Sequence, residues 1–377
     1  MAPKKKILID IFYLHVAQTG IKTYIESLCD LVENNKTADL EFVVTPDRKK
    51  ISSSTFFKGK TRFWKNLLFQ SVYFFRKLFV LPLLSHMHKT DAVFSPDILS
   101  PIWARGKKVS VIHDAFFWEN PSHYNAVWLK VYLTFLKAGL QKNAYVLTVS
   151  EHSKQQIKKF IEIPDLQIEV VYPSSNLTRK EASIGQHALI RQPYFLHVGV
   201  MEKRKNLTTL VQAFAELVQD PEFSDYKLVL VGQPGPRRPL DDHANILAFI
   251  EQHQLQGKLV LPGYVSKEAL DNYYQHALAY VFPSLNEGFG MPILEAFSYG
   301  LPVIVSDQGT LVEVGGSAVL KVTENTPQGF KVAMELVAKD KQLSAEMAQR
   351  GYQRLQEFSS SDFYLSLQRT FRKILHE

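Results

Sequence analysis

Residues 282–300 read Phe-Pro-Ser-Leu-Asn-Glu-Gly-Phe-Gly-Met-Pro-Ile-Leu-Glu-Ala-Phe-Ser-Tyr-Gly. The run begins at the end of an apolar, strand-like segment, Ala279 to Phe282, passes through a loop containing Gly288 and Gly290, and continues with helical spacing to Gly300. Pro292 suits the first turn of that helix and Gly300 its stop. Glu287 therefore lies in the loop, and Glu295 about one turn inside the helix. The two glycines let backbone N–H groups come close to a ligand, and a phosphate can rest on the helix terminus behind them. Two carboxylates eight residues apart also suggest the acid and base of a glycoside hydrolase. Here, however, one is on a loop and the other on a helix, which suits two parts of one long ligand better than two sides of one bond. Glu295 by itself reads as a charge near a helix start, and Glu287 as a solvated loop residue; the whole string reads as a site.

Working outward, short β-rich apolar runs alternate with helical stretches: Ile7 to Ile11, Val109 to Ile112, Tyr145 to Val149, Tyr194 to Val198, Lys227 to Val231, Leu259 to Leu261, and Pro302 to Val305. This is the rhythm of parallel α/β sheets. It breaks over Tyr172 to Gln192, where Pro173, Ser174 and Ser175 open a polar stretch. The expected fold is α/β, with two Rossmann-like doubly wound domains facing across a cleft, residues 1–180 on the acceptor side and 181–358 on the donor side. A C-terminal helix over 359–377 is expected to pack back on the first domain. Ligands of such sheets bind beyond the carboxyl ends of the strands, so polar residues just after strands are the candidates.

The length of 377 residues suits two domains, and 46% hydrophobic with 21% charged residues is ordinary for a globular chain. The single cysteine, Cys29, excludes an intramolecular disulfide and a multi-cysteine zinc site; it reads as a buried thiol and fits a reducing cytoplasm. The basic start, Met1 to Lys6, leads into an apolar run cut by Asp10, too short for a signal-peptide core, so the mature protein is expected to start here. Of the net charge of +7, residues 1–110 hold 18 Lys or Arg against 9 Asp or Glu. That excess points to an anionic partner: nucleic acid, an acidic membrane or a phosphorylated substrate.

The string Glu-Gly-Phe-Gly-Met-Pro-Ile-Leu-Glu-Ala, residues 287–296, resembles the signature of retaining GT-B glycosyltransferases of the family 4 type, also called glycosyl transferases group 1. Further matches run in the family's order: Thr19-Gly20-Ile21, Val111-Ile-His-Asp114, Val149-Ser-Glu-His-Ser153, Gly199 with Arg204-Lys-Asn206, Val231-Gly232, Leu261-Pro-Gly-Tyr264 and Leu311-Val-Glu-Val314. The resemblance implies that Glu287 approaches the donor sugar, that Glu295 binds the nucleotide ribose, and that Gly288, Phe289, Gly290 and Met291 line the donor.

Gly199 follows a strand, and Arg204 and Lys205 sit near the next helix start. A diphosphate needs cations there, arginine supplying a fork of donors and lysine a compact charge. A solvated basic turn is the plainer reading, which the strand-end position and the resemblance outweigh. This sequence has Val200 where many relatives place an arginine, and Arg204 is expected to compensate. In the first domain, Gly20 is expected in a loop after the first strand. His113 ends a strand; alone it reads equally as structural, and the resemblance implies sugar contact. Asp114 either orients it or caps the following turn, and Ser150 and Ser153 read as helix caps.

The implied reaction moves a hexose or deoxyhexose, with retention, from a nucleoside-diphosphate sugar to a glycan or lipid-linked acceptor, as in building bacterial surface polysaccharide. No cofactor and no metal are expected, since the sequence contains no Asp-x-Asp. Two rivals come from other classes. A nicotinamide-dependent oxidoreductase needs Gly-x-Gly-x-x-Gly, and Ile293 stands where the third glycine belongs. A non-catalytic binding protein of the same fold is the other.

Residues 56–84 interleave aromatic residues, from Phe56 to Phe79, with Lys58, Lys60, Arg62, Lys65, Arg76 and Lys77. Two readings stand: a helix lying on an anionic membrane, or ordinary core. Spanning is disfavoured because Gln70, Arg76 and Lys77 interrupt the apolar run. Nucleic acid is not an expected partner, because no binding motif accompanies the charge. The expected location is cytoplasmic, peripheral at the inner face of the cell membrane.

Overall fold

The computed structural model describes residues 3–376 apart from 18, 54, 55, 58–62, 165, 166, 176, 181–186 and 236–239. The chain forms two compact units, residues 1–176 with 358–377, and residues 177–357.

The first unit carries strands β1 (Lys5–Asp10), β2 (Leu40–Thr45), β3 (Ala92–Ser95), β4 (Lys107–Val111), β5 (Ala144–Thr148) and β6 (Ile168–Val170). They form a parallel sheet in the order β2-β1-β3-β4-β5-β6. The second unit carries β7 (Tyr194–Val198), β8 (Lys227–Val231), β9 (Leu259–Gly263), β10 (Ala279–Phe282), β11 (Val303–Ser306) and β12 (Val319–Val322). Its sheet is also parallel, in the order β12-β11-β10-β7-β8-β9. Each unit is thus a Rossmann-like domain, as the alternation of runs and helices predicts. Central strands such as β10 are buried along their whole length because helices cover both faces, which makes them continuous apolar runs.

Winding reverses between β1 and β3 in the first sheet and between β7 and β10 in the second. These are the topological switch points, where loops diverge and leave room for ligands. In the second domain β7 and β8 run so close at their ends that a Cβ on Gly232 would stand 1.8 Å from the Gly199 oxygen, so only glycine fits.

The C-terminal helix, Ser360–His376, belongs to the first domain. Phe371 packs edge-on against Phe94 of β3 and Phe42 of β2, and Phe363 against Tyr24. At its rim Arg372 pairs with Asp39 at 2.7 Å.

The expectation for Gly20 needs correction. It lies in the first turn of the helix Thr19–Asn34 and not in a loop, and a Cβ built on it would meet nothing within 4 Å. The small residue leaves open space at that helix start. Cys29, on the same helix, is fully buried, and burial pushes its thiol up to about 12.

The aromatic segment forms one helix from Phe63 through Met87, with a π-turn at Arg76–Val80. Its two sides divide the two readings between them. Phe69, Tyr73 and Leu81 are core residues, whereas Trp64, Leu67, Phe75 and Phe79 are exposed. Trp64–Met87 is long and apolar enough to cross a membrane by length and composition alone, yet a third of its apolar window is buried in the domain. Lys58, Lys60 and Arg62 lie outside the described residues.

Candidate active site

At the β7/β10 switch point the second domain brings two cations onto one carboxylate. After β7 the chain runs through Gly199 to a tight turn, Lys203–Lys205, and Asn206, in the left-handed region at φ 53°, redirects it into the helix Leu207–Leu217. This turn aims Lys205 inward, where it is 6% exposed. From the end of β10, Ser284 and Glu287 approach the same point. Lys205 Nζ donates to Glu287 Oε1 at 2.6 Å, Arg204 Nη1 pairs with the same oxygen at 3.0 Å, and Ser284 Oγ donates to it at 2.7 Å. Arg204 also donates to Glu202 Oε2 at 2.8 Å and to the Asn286 carbonyl at 3.1 Å, which ties the loop after β10 to the turn after β7.

The electrostatics follow from this packing. Burial raises the pKa of Glu287, but Arg204 and Lys205 outweigh it and hold the carboxyl down to about 2. Glu287 is therefore an obligate acceptor at neutral pH. Burial lowers Lys205 below the ordinary lysine range, with Glu287 pulling the other way and Arg204 adding to the lowering. Glu287 and Glu202 thus face Arg204 and Lys205 across this turn.

The helix Met291–Ser298 begins at Gly290, whose φ of 101° requires glycine. Pro292 is in its first turn, as predicted. Phe289 is buried, while Gly288 and Met291 are partly exposed. Glu295 points toward Tyr274, whose hydroxyl donates to Oε2 at 2.9 Å. Burial pushes the Glu295 carboxyl up, and Tyr274 and Lys205 offset this only in part.

Gly199, Arg204, Lys205, Glu287, Gly288, Phe289, Gly290, Met291 and Glu295 thus share one domain and one end of one sheet. His113 and Gly20 belong to the first domain. There His113 Nε2 donates to the Pro96 carbonyl at 3.2 Å, its ring meets Tyr24 edge-on, and burial lowers its pKa. Asp114 is a cap: its Oδ1 accepts from Phe116 N at 3.1 Å. Ser150 caps the helix Glu151–Lys158 by accepting from Ser153 N.

Four neighbours were not legible as site residues. Ser284 carries a usable signal, a hydroxyl two residues beyond a buried strand. Glu202, Tyr274 and His197 carry none. His197, within β7, is fully buried and donates from Nδ1 to the Val281 carbonyl at 2.9 Å. Its Nε2 has no hydrogen-bond partner among the described residues and lies 3.3 Å from where a Cβ on Gly199 would stand.

The family model for glycosyl transferases group 1 matches residues 180–354. The O-antigen chain mannosyltransferase B of Escherichia coli is 29% identical over 260 residues, 67% of each chain. Two solved structures share the fold. Sucrose-phosphate synthase from Thermosynechococcus elongatus has a TM-score of 0.70 at 18% identity, covering 99% of this chain and 100% of its own. Anabaena Alr3699/HepE, solved in complex with UDP and glucose, has a TM-score of 0.68 at 16% identity, covering 98% and 100%. The two Rossmann-like domains are those of the GT-B glycosyltransferase fold, and the second of them, which holds the paired-cation cluster, matches glycosyl transferases group 1 over residues 180–354.

Proposed function

We propose that the protein transfers a hexose or deoxyhexose, with retention of configuration, from a nucleoside-diphosphate sugar to a glycan or lipid-linked acceptor in the cytoplasm, in building bacterial surface polysaccharide. The observation that carries this reading is the convergence of Arg204 and Lys205 on Glu287 beside the Gly290 helix start. Breaking the bond from sugar C1 to the phosphate oxygen leaves the electron pair on the diphosphate. Arg204, Lys205 and the helix N–H groups stabilise that charge in place before the bond breaks. The acceptor hydroxyl oxygen bonds to C1 on the same face, and its proton passes to the departing diphosphate. Glu287, ionised throughout, accepts from donor-sugar hydroxyls, with His113 as a second sugar contact from the first domain. Glu295 accepts from the ribose. Gly20, Gly199, Gly288, Phe289 and Met291 line the donor, and no metal or cofactor takes part. The hexose class and the polysaccharide setting are carried over from the mannosyltransferase relative, and the nucleoside diphosphate from the structure solved with UDP.

The test is a thermal-shift screen of nucleoside diphosphates and their sugars, followed by mass spectrometry of products in EDTA. A ligand that binds only the folded state raises the melting temperature, by the equivalent of about 2.7 kcal/mol at a hundredfold excess over Kd. Stabilisation by one nucleotide-sugar and metal-independent transfer are expected. If no nucleotide-sugar stabilises the protein, the donor reading is wrong. Stabilisation with neither transfer nor hydrolysis identifies a binding protein instead.

A further inference from the structure

We propose that the outer face of the helix Trp64–Met87 docks the protein on an anionic lipid surface, and that a buried ion-pair cluster on the inner face holds it in that posture. Trp64, Leu67, Phe75, Phe79, Leu83 and Met87 are between 48% and 66% exposed. Their spacings of three, four and eight residues place them along one side of the helix, over a length of about 35 Å at ~1.5 Å per residue. Contiguous apolar surface of that extent is rare on a soluble monomer and marks a contact site.

The opposite side explains why this face is not turned inward. Arg76 Nε donates to Asp10 Oδ1 at 2.8 Å, and Lys77 Nζ lies 3.0 Å from Asp10 Oδ2 and 2.9 Å from Asp97 Oδ1. Tyr73 donates its hydroxyl to the other oxygen of Asp97. Adjacent residues of a regular α-helix point about 100° apart, so two consecutive inward cations take up a wide arc of this helix. The π-turn at Arg76–Val80 begins at these two cations, which are buried while Phe75 and Phe79 on either side stay exposed. The same ion pairs argue against spanning, since drawing this helix into a bilayer would strip both cations from Asp10 and Asp97.

Charge selects lipid over a protein partner. Residues 48–90 contain ten Lys or Arg and no Asp or Glu. Of these, Arg48, Arg76 and Lys77 pair with carboxylates from elsewhere in the first domain. Lys65 lies over the exposed Phe56 ring at 4.5 Å, a cation and an aromatic side by side as interfacial helices place them. Juxtamembrane basic residues add attraction to acidic headgroups that salt weakens. Asp10 ends β1 and Asp97 follows β3, so the docked helix covers the carboxyl end of the first sheet. A lipid-linked acceptor, where that part of the proposed function holds, would arrive at this end.

The experiment is cosedimentation of the full chain with vesicles of phosphatidylcholine alone or with 30% phosphatidylglycerol, by weight, at low and high salt; no donor is needed, so the result is independent of the donor reading. We expect binding to the anionic vesicles, weaker by about tenfold in high salt and on neutral vesicles. The variant Phe75→Ser/Phe79→Ser should lose at least about tenfold in binding while keeping the wild-type melting curve. A second variant, Leu67→Ser/Leu83→Ser, makes the same test at two other exposed positions. Wild-type protein that ignores anionic vesicles at low salt overturns the proposal. So does binding that both variants retain, or a wild-type dimer that the variants abolish.

Discussion

Lys205 is the residue on which the donor reading turns. Its ammonium is nearly buried, shares Glu287 with Arg204, and sits 4.8 Å from the centre of the Phe282 ring. Lys205→Ala is expected to weaken nucleoside diphosphate binding by ~10- to 150-fold, the loss of one charge-assisted contact worth about 1.5–3 kcal/mol. Glu287→Gln keeps the size but removes the acceptor charge, so turnover should fall more than nucleotide affinity. Isothermal titration and initial rates separate the two, and unchanged binding by the Lys205 variant would sink the phosphate assignment. His197 gives a pH prediction. Burial, with Lys205 nearby, lowers its pKa from 6.5 to about 4, so the folded protein keeps it neutral where the unfolded chain protonates it. A depressed histidine contributes stability that is present above pH 6.5 and lost as pH falls toward 4, to the extent of about 3 kcal/mol. The ion pairs of Glu287 persist through this window, because its carboxyl titrates near 2. Denaturant midpoints between pH 7 and 4 should therefore fall less steeply in His197→Asn than in wild type. Equal slopes would show that His197 is not held neutral.

Among the elements, β7, β8 and β10 are legible to the residue because strands covered on both faces are unbroken apolar runs. The edge strands β2, β6 and β12 escape such reading because one side meets solvent and carries Glu41, Glu169 or Lys321. The site divides the same way. The loop and helix of residues 282–300 announce themselves by glycine, proline and carboxylate spacing, whereas the partners of those carboxylates come from other elements: Lys205 lies 82 residues from Glu287, and Tyr274 lies 21 from Glu295. The helix Trp64–Met87 is the sharpest case. Its aromatic stripe is visible in sequence, but its orientation is set by Asp10, 66 residues from Arg76, and Asp97, 20 residues from Lys77. Removing one member of a buried ion cluster leaves an uncompensated charge, so Lys77→Met is expected to cost about 3–5 kcal/mol in urea denaturation. Asp97→Asn should cost less, because burial already pushes the Asp97 carboxyl up more than Lys77 lowers it. The reverse ranking would mean that Asp97, not Lys77, anchors the cluster.

At the scale of the whole molecule, the two domains have separate cores, and the chain passes between them twice, near residue 176 and near residue 357. The second passage returns the C-terminal helix to the first domain, where Phe363, Leu367, Phe371 and Ile374 are buried. Phe371 closes over Phe94 and Phe42, and the Tyr364 hydroxyl donates to the Asn35 carbonyl at 2.8 Å. A chain ending at residue 357 would expose that apolar face at roughly 25 cal/mol per Å², a loss a domain of marginal stability cannot absorb. The cluster of Arg204, Lys205 and Glu287 lies wholly within residues 177–357. Calorimetry of the full chain is therefore expected to show a transition that nucleoside diphosphate raises and another that it leaves in place. In the truncated chain the ligand-insensitive transition should disappear or fall by many degrees, while the ligand-sensitive one keeps its shift. If truncation instead removes the nucleotide shift and spares the other transition, the helix serves the donor site and not the first-domain core.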